Sequence, residues 1–396
     1  MRVFSCNHCG HAVFFENVQC LNCASALAFL PDLMVLAAIE PAAIDDDGDE
    51  ASQLWRRVDD EAGSNYRMCG NQIQHQACNF AVRADDPHTL CVSCRQTRMA
   101  PDLSIQANRD HWFAIELAKR RLYYTLAKLG LMDEHADSLI FEFLADLPGA
   151  PAILTGHQNG VITLNIAEAD DAERARRRLE LHEPYRTLLG HLRHESGHFF
   201  WDRLVLQQGR VQEFRVLFGD DSIDYKQALA NYYGAGGAAP SWQDSFVSGY
   251  ATAHPWEDWA ETWAHYLHMV DLLETAASYD TTVMVPGNGD QPATVADPFG
   301  HQHAAFDQLV SQWMPVTLLL NSLNRSLGQG DAYPFALTAG ALRKLRYVHD
   351  LISSSAAAAS SPADDQVTTQ AASPEAASSG NTRDAPADEA QPADQA

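Results

Sequence analysis

The residues with the most chemical potential lie together at Thr187-Leu-Leu-Gly-His191-Leu-Arg-His194-Glu195-Ser-Gly-His198-Phe-Phe-Trp201. A helix stacks His194 and His198 one turn apart, with both imidazoles on one face where they can grip a single cation. Glu195 projects close to that face, within reach of a water on the metal, and in this pattern such a glutamate acts as general base. Two satisfied histidines on a buried helix would have the same spacing, so a third ligand must separate the two readings.

A metzincin would carry that ligand six residues after the second histidine, where Leu204 stands, with glycine at the position of Trp201. That class is excluded. A better source is His254-Pro-Trp-Glu257-Asp-Trp-Ala-Glu261-Thr-Trp-Ala-His265, which reads as a helix after Pro255. Glu257 and Glu261 share one face of it. The first can bind zinc while the second, one turn on, accepts a hydrogen bond from a ligand imidazole and fixes its tautomer. Trp256, Trp259, Ala260 and Trp263 give the helix a packing face. His265 and His268 stand too far along it for the same metal and read as core or surface residues. His191, one turn before His194, can line a cleft or sit on the helix surface.

All eight cysteines precede residue 95. Cys6, Cys9, Cys20 and Cys23 form Cys-x2-Cys-x10-Cys-x2-Cys, a compact zinc-ribbon spacing; Cys69, Cys78, Cys91 and Cys94 form Cys-x8-Cys-x12-Cys-x2-Cys. Two-residue spacing turns both sulfurs of a tight loop toward one point, as tetrahedral zinc requires. Eight ligands fill two closed structural sites, which leave no position open for catalysis. Disulfides are the rival, and three Cys-x2-Cys pairs without an export signal argue against them. Pairing stays open, since Cys6 and Cys9 could share a metal with Cys91 and Cys94. His8, His75 and His88 read as bystanders. Phe4, Phe14, Phe15 and Phe80 read as the apolar plug of this region.

His-Glu-x-Gly-His followed by a distant Glu-x-x-Ala-Glu resembles the gluzincin metallopeptidases, including the anthrax lethal-factor type. Over roughly residues 1–352 the chain resembles a bacterial family of zinc-binding metallopeptidases with an N-terminal zinc ribbon. The resemblance implies zinc ligands His194, His198 and Glu257, catalytic Glu195, and Glu261 supporting a ligand histidine. It also implies a tyrosine seven residues before the ligand glutamate, donating to the developing oxyanion; here that is Tyr250. His254, in the same loop, is the competing donor. The segment between the motifs departs from the family in length and content, so substrate specificity does not carry over.

The elements that must position these groups read as an α+β chain. A zinc ribbon spans 1–40, an acidic linker 41–65, a second four-cysteine zinc module 66–100, a mainly α-helical gluzincin-like metallopeptidase domain with a short sheet 101–352, and a disordered Ala/Ser/Pro/Asp tail 353–396. Arg109–Leu131 has Phe113, Leu117, Leu122, Leu126 and Leu129 at helical spacing, and Phe141–Leu147 continues that character. Gly156-His-Gln-Asn-Gly160 leads as a turn into a strand, Val161–Ile166. A long helix is expected to begin before Tyr185. The segment 219–249, with Gly234-Ala-Gly-Gly-Ala-Ala-Pro240, reads as a loop that could overhang the cleft.

Of the 396 residues, 27 are Lys or Arg and 52 Asp or Glu, a net charge of −25. About half of that excess sits in the tail and in Asp45–Glu61. The acidic balance argues against nucleic-acid coating, which depends on cations displacing counterions. Arg95, Arg98, Lys119, Arg120 and Arg121 form modest basic clusters that read as solvated helix faces. No apolar run approaches the ~20 residues of a membrane span, and Met-Arg-Val-Phe-Ser-Cys lacks a secretory core, so a cytoplasmic protein is expected. Three functions fit: a zinc peptidase with one catalytic and two structural zincs acting on peptides or proteins, a non-catalytic adaptor docking a protein partner through its ribbons, and a nucleic-acid-associated protein.

Overall fold

The computed structural model describes residues 1–43, 53–60, 63–132, 139–180, 187–285, 292–300 and 304–360. Short antiparallel strands β1 (Phe4–Ser5) and β2 (Ala12–Val13) hold the first cysteine knuckle, and Gly10, at φ +75°, lets the chain fold back on itself. Next comes a five-stranded antiparallel sheet of β3 (Ala26–Leu30), β4 (Val35–Ala43), β5 (Leu54–Arg57), β6 (Tyr66–Met68) and β7 (Ala81–Arg83), in that order. Pro41 is tolerated within β4 because the register shifts between Pro41 and Ala43.

Alternation decides which side chains face the cysteines. Leu27 and Phe29 pack with Phe15, Phe80 and Tyr124, whereas Ala28 and Leu30 point to the opposite face with Ala37, Ile39 and Tyr66. Phe4, Phe15 and Phe80 are buried as the plug; Phe14 is exposed. The sheet also overrides the expected split into two modules separated by a linker. The end of β4 and all of β5 come from the stretch read as linker, and Arg56 on β5 pairs with Glu40 on β4 at 2.9 Å. Residues 44–52, the most acidic part, lie outside the described residues.

Past helix α1 (Gly70–His75), strand β8 (Thr97–Met99) leads straight from the second cysteine group into a second sheet. It lies parallel to β9 (Ile140–Leu144), which lies parallel to β11 (Val161–Asn165), and β10 (Gly156–Gln158) closes the edge antiparallel to β11. Strand β9 corrects the helical reading of Phe141–Leu147: Phe141 and Phe143 are buried on one side, a period of two that so short a segment cannot distinguish from a helix turn. β10 and β11 meet at Asn159-Gly160, both at positive φ, as a tight hairpin demands.

Helix α2 (Gln106–Lys128) buries Trp112, Ile115, Leu122 and Leu126. Phe113, expected on that face, is exposed. Lys119 and Arg120, read as solvated, are buried as well. Lys119 pairs with Glu116 at 2.9 Å, and Arg120 donates to the Ala77 carbonyl at 2.7 Å. Helix α3 (Asp171–Glu180) precedes α4 (Leu188–Trp201), whose start is fixed by Thr187, with Oγ1 accepting from the Gly190 amide at 2.9 Å. The helix therefore begins after position 185, and Tyr185 lies outside the described residues. Beyond α5 (Val211–Phe218), the expected loop 219–249 contains helix α6 (Tyr225–Gly234) and a short 3-10 turn at Trp242–Asp244.

Helix α7 (Pro255–Ser278) crosses α4 at close range. Its Trp259 and Trp263 indoles donate to the Gly197 carbonyl at 2.7 Å and to Ser196 Oγ at 3.1 Å. A Cβ on Gly197 would stand 2.9 Å from Ala260 Cα and 3.1 Å from Trp263 Cδ1. Gly197→Ala is therefore expected to cost about 1–3 kcal/mol by overpacking, read as a lower melting temperature; an unchanged melting temperature would mean the helices part freely. Arg193 on α4 pairs with Asp271 on α7, which also accepts from Thr125 Oγ1 of α2 at 2.8 Å, so three helices share one buried polar link.

A hairpin of β12 (Thr282–Val283) and β13 (Ala293–Thr294), then α8 (Phe306–Ser326) and α9 (Ala339–Ser360), complete the described chain. Eight residues read as tail thus belong to α9, and 361–396 lie outside the described residues. Among the described residues no helix is long and apolar enough to cross a membrane.

Candidate metal centres

The eight thiols resolve into two clusters, Cys6, Cys9, Cys20 and Cys23, and Cys69, Cys78, Cys91 and Cys94. Sulfur separations of 3.8 Å (Cys6–Cys23) and 3.7 Å (Cys9–Cys20, Cys78–Cys91, Cys78–Cys94) are far too long for disulfides. They match the ~3.8 Å edge of a tetrahedron with metal–sulfur bonds near 2.3 Å. Backbone amides of Phe80, Cys91 and Cys94 point at sulfurs of the second cluster at 3.4 Å. The alternative sharing of a metal between Cys6/Cys9 and Cys91/Cys94 is ruled out by this placement. His8 contacts Ser25 and His88 contacts Asp86; neither joins a cluster.

Donor atoms of His194, His198 and Glu257 form the third group, all within 4.8 Å of one another. Helix α4 supplies the histidines and the first turn of α7 the carboxylate, brought across 59 residues by the Gly197 crossing. Glu257 Oε2 lies 3.0 Å from His194 Nε2, and Oε1 lies 3.6 Å from His198 Nε2. These lengths bracket the ~3.3 Å edge expected for nitrogen and oxygen ligands about 2.0–2.1 Å from zinc.

His194 stands between two carboxylates, with Nδ1 2.7 Å from Glu261 Oε1 and Nε2 3.0 Å from Glu257 Oε2; burial opposes a charge on the ring, but the two carboxylates outweigh it and raise its pKa. A buried ring nitrogen and a buried carboxylate oxygen 3.0 Å apart need a proton or a metal cation between them. Burial lowers the His198 pKa to about 3, keeping a neutral imidazole. Burial opposes charge on Glu257, but the facing imidazoles and the hydrogen bond from the Tyr225 hydroxyl outweigh it and hold its carboxyl at about 2.

Around these donors the structure places two partners the spacing gives no sign of. Tyr225, at the start of α6, donates to Glu257 Oε1 at 2.6 Å, and Ser248 donates to Glu261 Oε2 at 2.5 Å. Both come from the segment between the motifs, where no local periodicity marks them. His157, in the expected turn but on strand β10, lies with its ring 6.3 Å from His198, and Trp256 packs against His198 with centroids 4.2 Å apart and the rings tilted by 46°.

Glu195 is buried one residue beyond His194, with His191 Nε2 3.5 Å from its Oε1. Tyr250 opens a 3-10 turn, its ring 6.0 Å from that of His194. Burial and then the charge of Glu257 raise its pKa, keeping the hydroxyl protonated. His254 is committed elsewhere. Its Nδ1 caps α7 by accepting from the Trp256 amide at 3.0 Å, and its Nε2 lies 3.2 Å from the Ile223 carbonyl. Tyr250 lines the cavity that holds the donors, whereas His254 is not part of its lining. A cavity of about 1020 Å³ contains the whole group, walled by β10, α4, α6 and α7. His265 and His268 are buried along the same cavity without joining the donors; His265 Nδ1 lies 2.6 Å from the Tyr333 hydroxyl.

Comparison with known proteins agrees with this division. Residues 3–105 match a family described as a zinc-ribbon domain, spanning both cysteine clusters and their shared sheet. Residues 108–351 match a family described as "Putative zinc-binding metallo-peptidase". An uncharacterized protein of Mycobacterium bovis and two of Mycobacterium tuberculosis are each 40% identical over 358 residues, covering 89% of this chain and 95% of theirs. No solved structure matches the chain. With its histidine pair and later glutamate converging inside the matched region, the chain belongs to this zinc-binding metallopeptidase family and carries the zinc ribbon ahead of it.

Proposed function

We propose that the protein is a zinc-dependent endopeptidase of the gluzincin type, with one catalytic and two structural zincs. The observation that carries this is the convergence of the His194, His198 and Glu257 donors beside the buried Glu195 carboxylate in one large cavity. A zinc ion held by those three would polarise a peptide carbonyl and acidify a water in its open position. Glu195 takes the proton of the attacking water and returns it to the leaving amine. Tyr250, kept protonated, donates to the oxygen of the tetrahedral adduct, a contact worth roughly 3 kcal/mol. Glu261 fixes the His194 ring, and Tyr225 holds one oxygen of Glu257, so both ligands are oriented in advance. Helix α6 and the glycine-rich stretch after it wall the cleft where a peptide or protein substrate would lie. The ribbons are closed sites suited to folding and to docking a protein partner, and thiols kept as metal ligands suit the cytoplasm.

Metal counting tests the reading. Wild type should hold three zincs, one of them exchangeable with a chelator, and His194→Ala should hold two and lose hydrolysis. Two zincs in folded wild type, unaffected by His194→Ala, would remove the catalytic site.

A further inference from the structure

We propose that His191, braced by the buried carboxylate of Glu168, is a positioning residue that holds Glu195 where it receives a proton. The purpose of that position rests on the peptidase reading; the contact itself does not. Helix α4 sets His191 one turn before Glu195, with Nε2 3.5 Å from Glu195 Oε1. The other ring nitrogen, Nδ1, lies 3.6 Å from Glu168 Oε2. One imidazole thus stands between two carboxylates, one of which faces the metal donors.

Glu168 comes from a rigid source. It is 1% exposed, on a 3-10 turn at Ile166–Ala169 directly after β11. Asn165 fixes that turn: its side chain accepts from the Ala167 amide at 3.0 Å and donates to Asp146 at 2.9 Å. Arg174 of α3 donates to the Glu168 carbonyl at 2.9 Å. The sheet therefore presents a carboxylate to the helix at a set point, and His191 transmits that point to Glu195.

The physical need is plain. A glutamate side chain has several free torsions, and a general base works only within hydrogen-bond reach of the proton it takes. A misplacement of about 1 Å can cost on the order of a hundredfold. At 3.5 and 3.6 Å the two contacts lie just beyond hydrogen-bond length, and contacts of this kind shorten when substrate closes a site.

The test uses the full-length zinc-loaded protein with His191→Ala, Glu168→Gln and both together. Zinc content and melting temperature should match wild type, while a crystal structure of His191→Ala should show the Glu195 carboxylate swung from its wild-type place. With a peptide that wild type cleaves, kcat should fall roughly ten- to a hundredfold at unchanged KM, and added imidazole should restore part of it. The double variant should be no worse than the poorer single one, because the two residues act as a unit. Glu195 held in its wild-type place in folded His191→Ala, or an unchanged kcat, would overturn the proposal; Glu168→Gln decides it if His191→Ala does not fold. If wild type and Glu195→Gln alike cleave nothing, the peptidase reading fails separately, and the position of Glu195 in the crystal still decides this one.

Discussion

Glu195→Gln is expected to lower peptide hydrolysis by about 10²–10⁴-fold, the usual contribution of a positioned general base, while leaving three zincs bound and the melting temperature unchanged. Glutamine has nearly the same shape and cannot take a proton. Glu195 is not among the three converging donors, so the substitution leaves His194, His198 and Glu257 intact. The carboxylate is buried beside His194, so bulk water is poorly placed to replace it. A proteome-wide cleavage profile of wild type against Glu195→Gln gives the readout: cleavages present in the first and missing from the second identify substrates directly. Identical profiles would end the peptidase reading, whatever the zinc content.

Cys78→Ser is expected to have the largest effect on stability. Cys78 is buried with its sulfur 3.7 Å from those of Cys91 and Cys94, and its cluster is enclosed by the sheet. Structural zinc contributes about 10–16 kcal/mol of apparent folding energy in small zinc peptides, as much as the whole ~5–15 kcal/mol net stability of a typical protein. Losing that metal should release the packing of Phe29, Phe80 and Phe15 around Tyr124. Tyr124 also donates to Glu274 at 2.5 Å on α7, the helix that carries Glu257, so damage should reach the body. The expected result is loss of one tightly held zinc and a fall in melting temperature of at least ~10 °C, measured by metal analysis and thermal unfolding. Cys9→Ser, at the exposed edge of the first cluster, should cost less. An unchanged melting temperature for Cys78→Ser would show that these sulfurs hold no structural metal.

The amino-acid sequence by itself determined whatever depends on one turn of chain. His194 with His198, and Glu257 with Glu261, are each four apart, and helix geometry alone puts such pairs on one face. Two-residue cysteine spacing likewise turns sulfurs toward a common point without help from the rest of the fold. Short apolar segments were less legible. Phe141–Leu147 suits a helix or a strand equally, and pairing with β11 makes its first four residues strand. The stretch 41–65 reads as a spacer because acids dominate it, yet residues 41–43 and 54–57 are strand, since partners in a sheet are chosen by hydrogen bonding between distant segments.

Only the tertiary structure decided which cysteines share a site, that His254 caps a helix while Tyr250 packs beside His194, and that Tyr225 contacts Glu257, Ser248 contacts Glu261 and Glu168 approaches His191. Each of these is a convergence of segments far apart in the chain. What brings His194 and Glu257 together is the close crossing of α4 and α7, which has room only because residue 197 has no side chain. Local spacing follows from the rise and twist of the backbone; distant contacts follow from packing, which no single segment encodes.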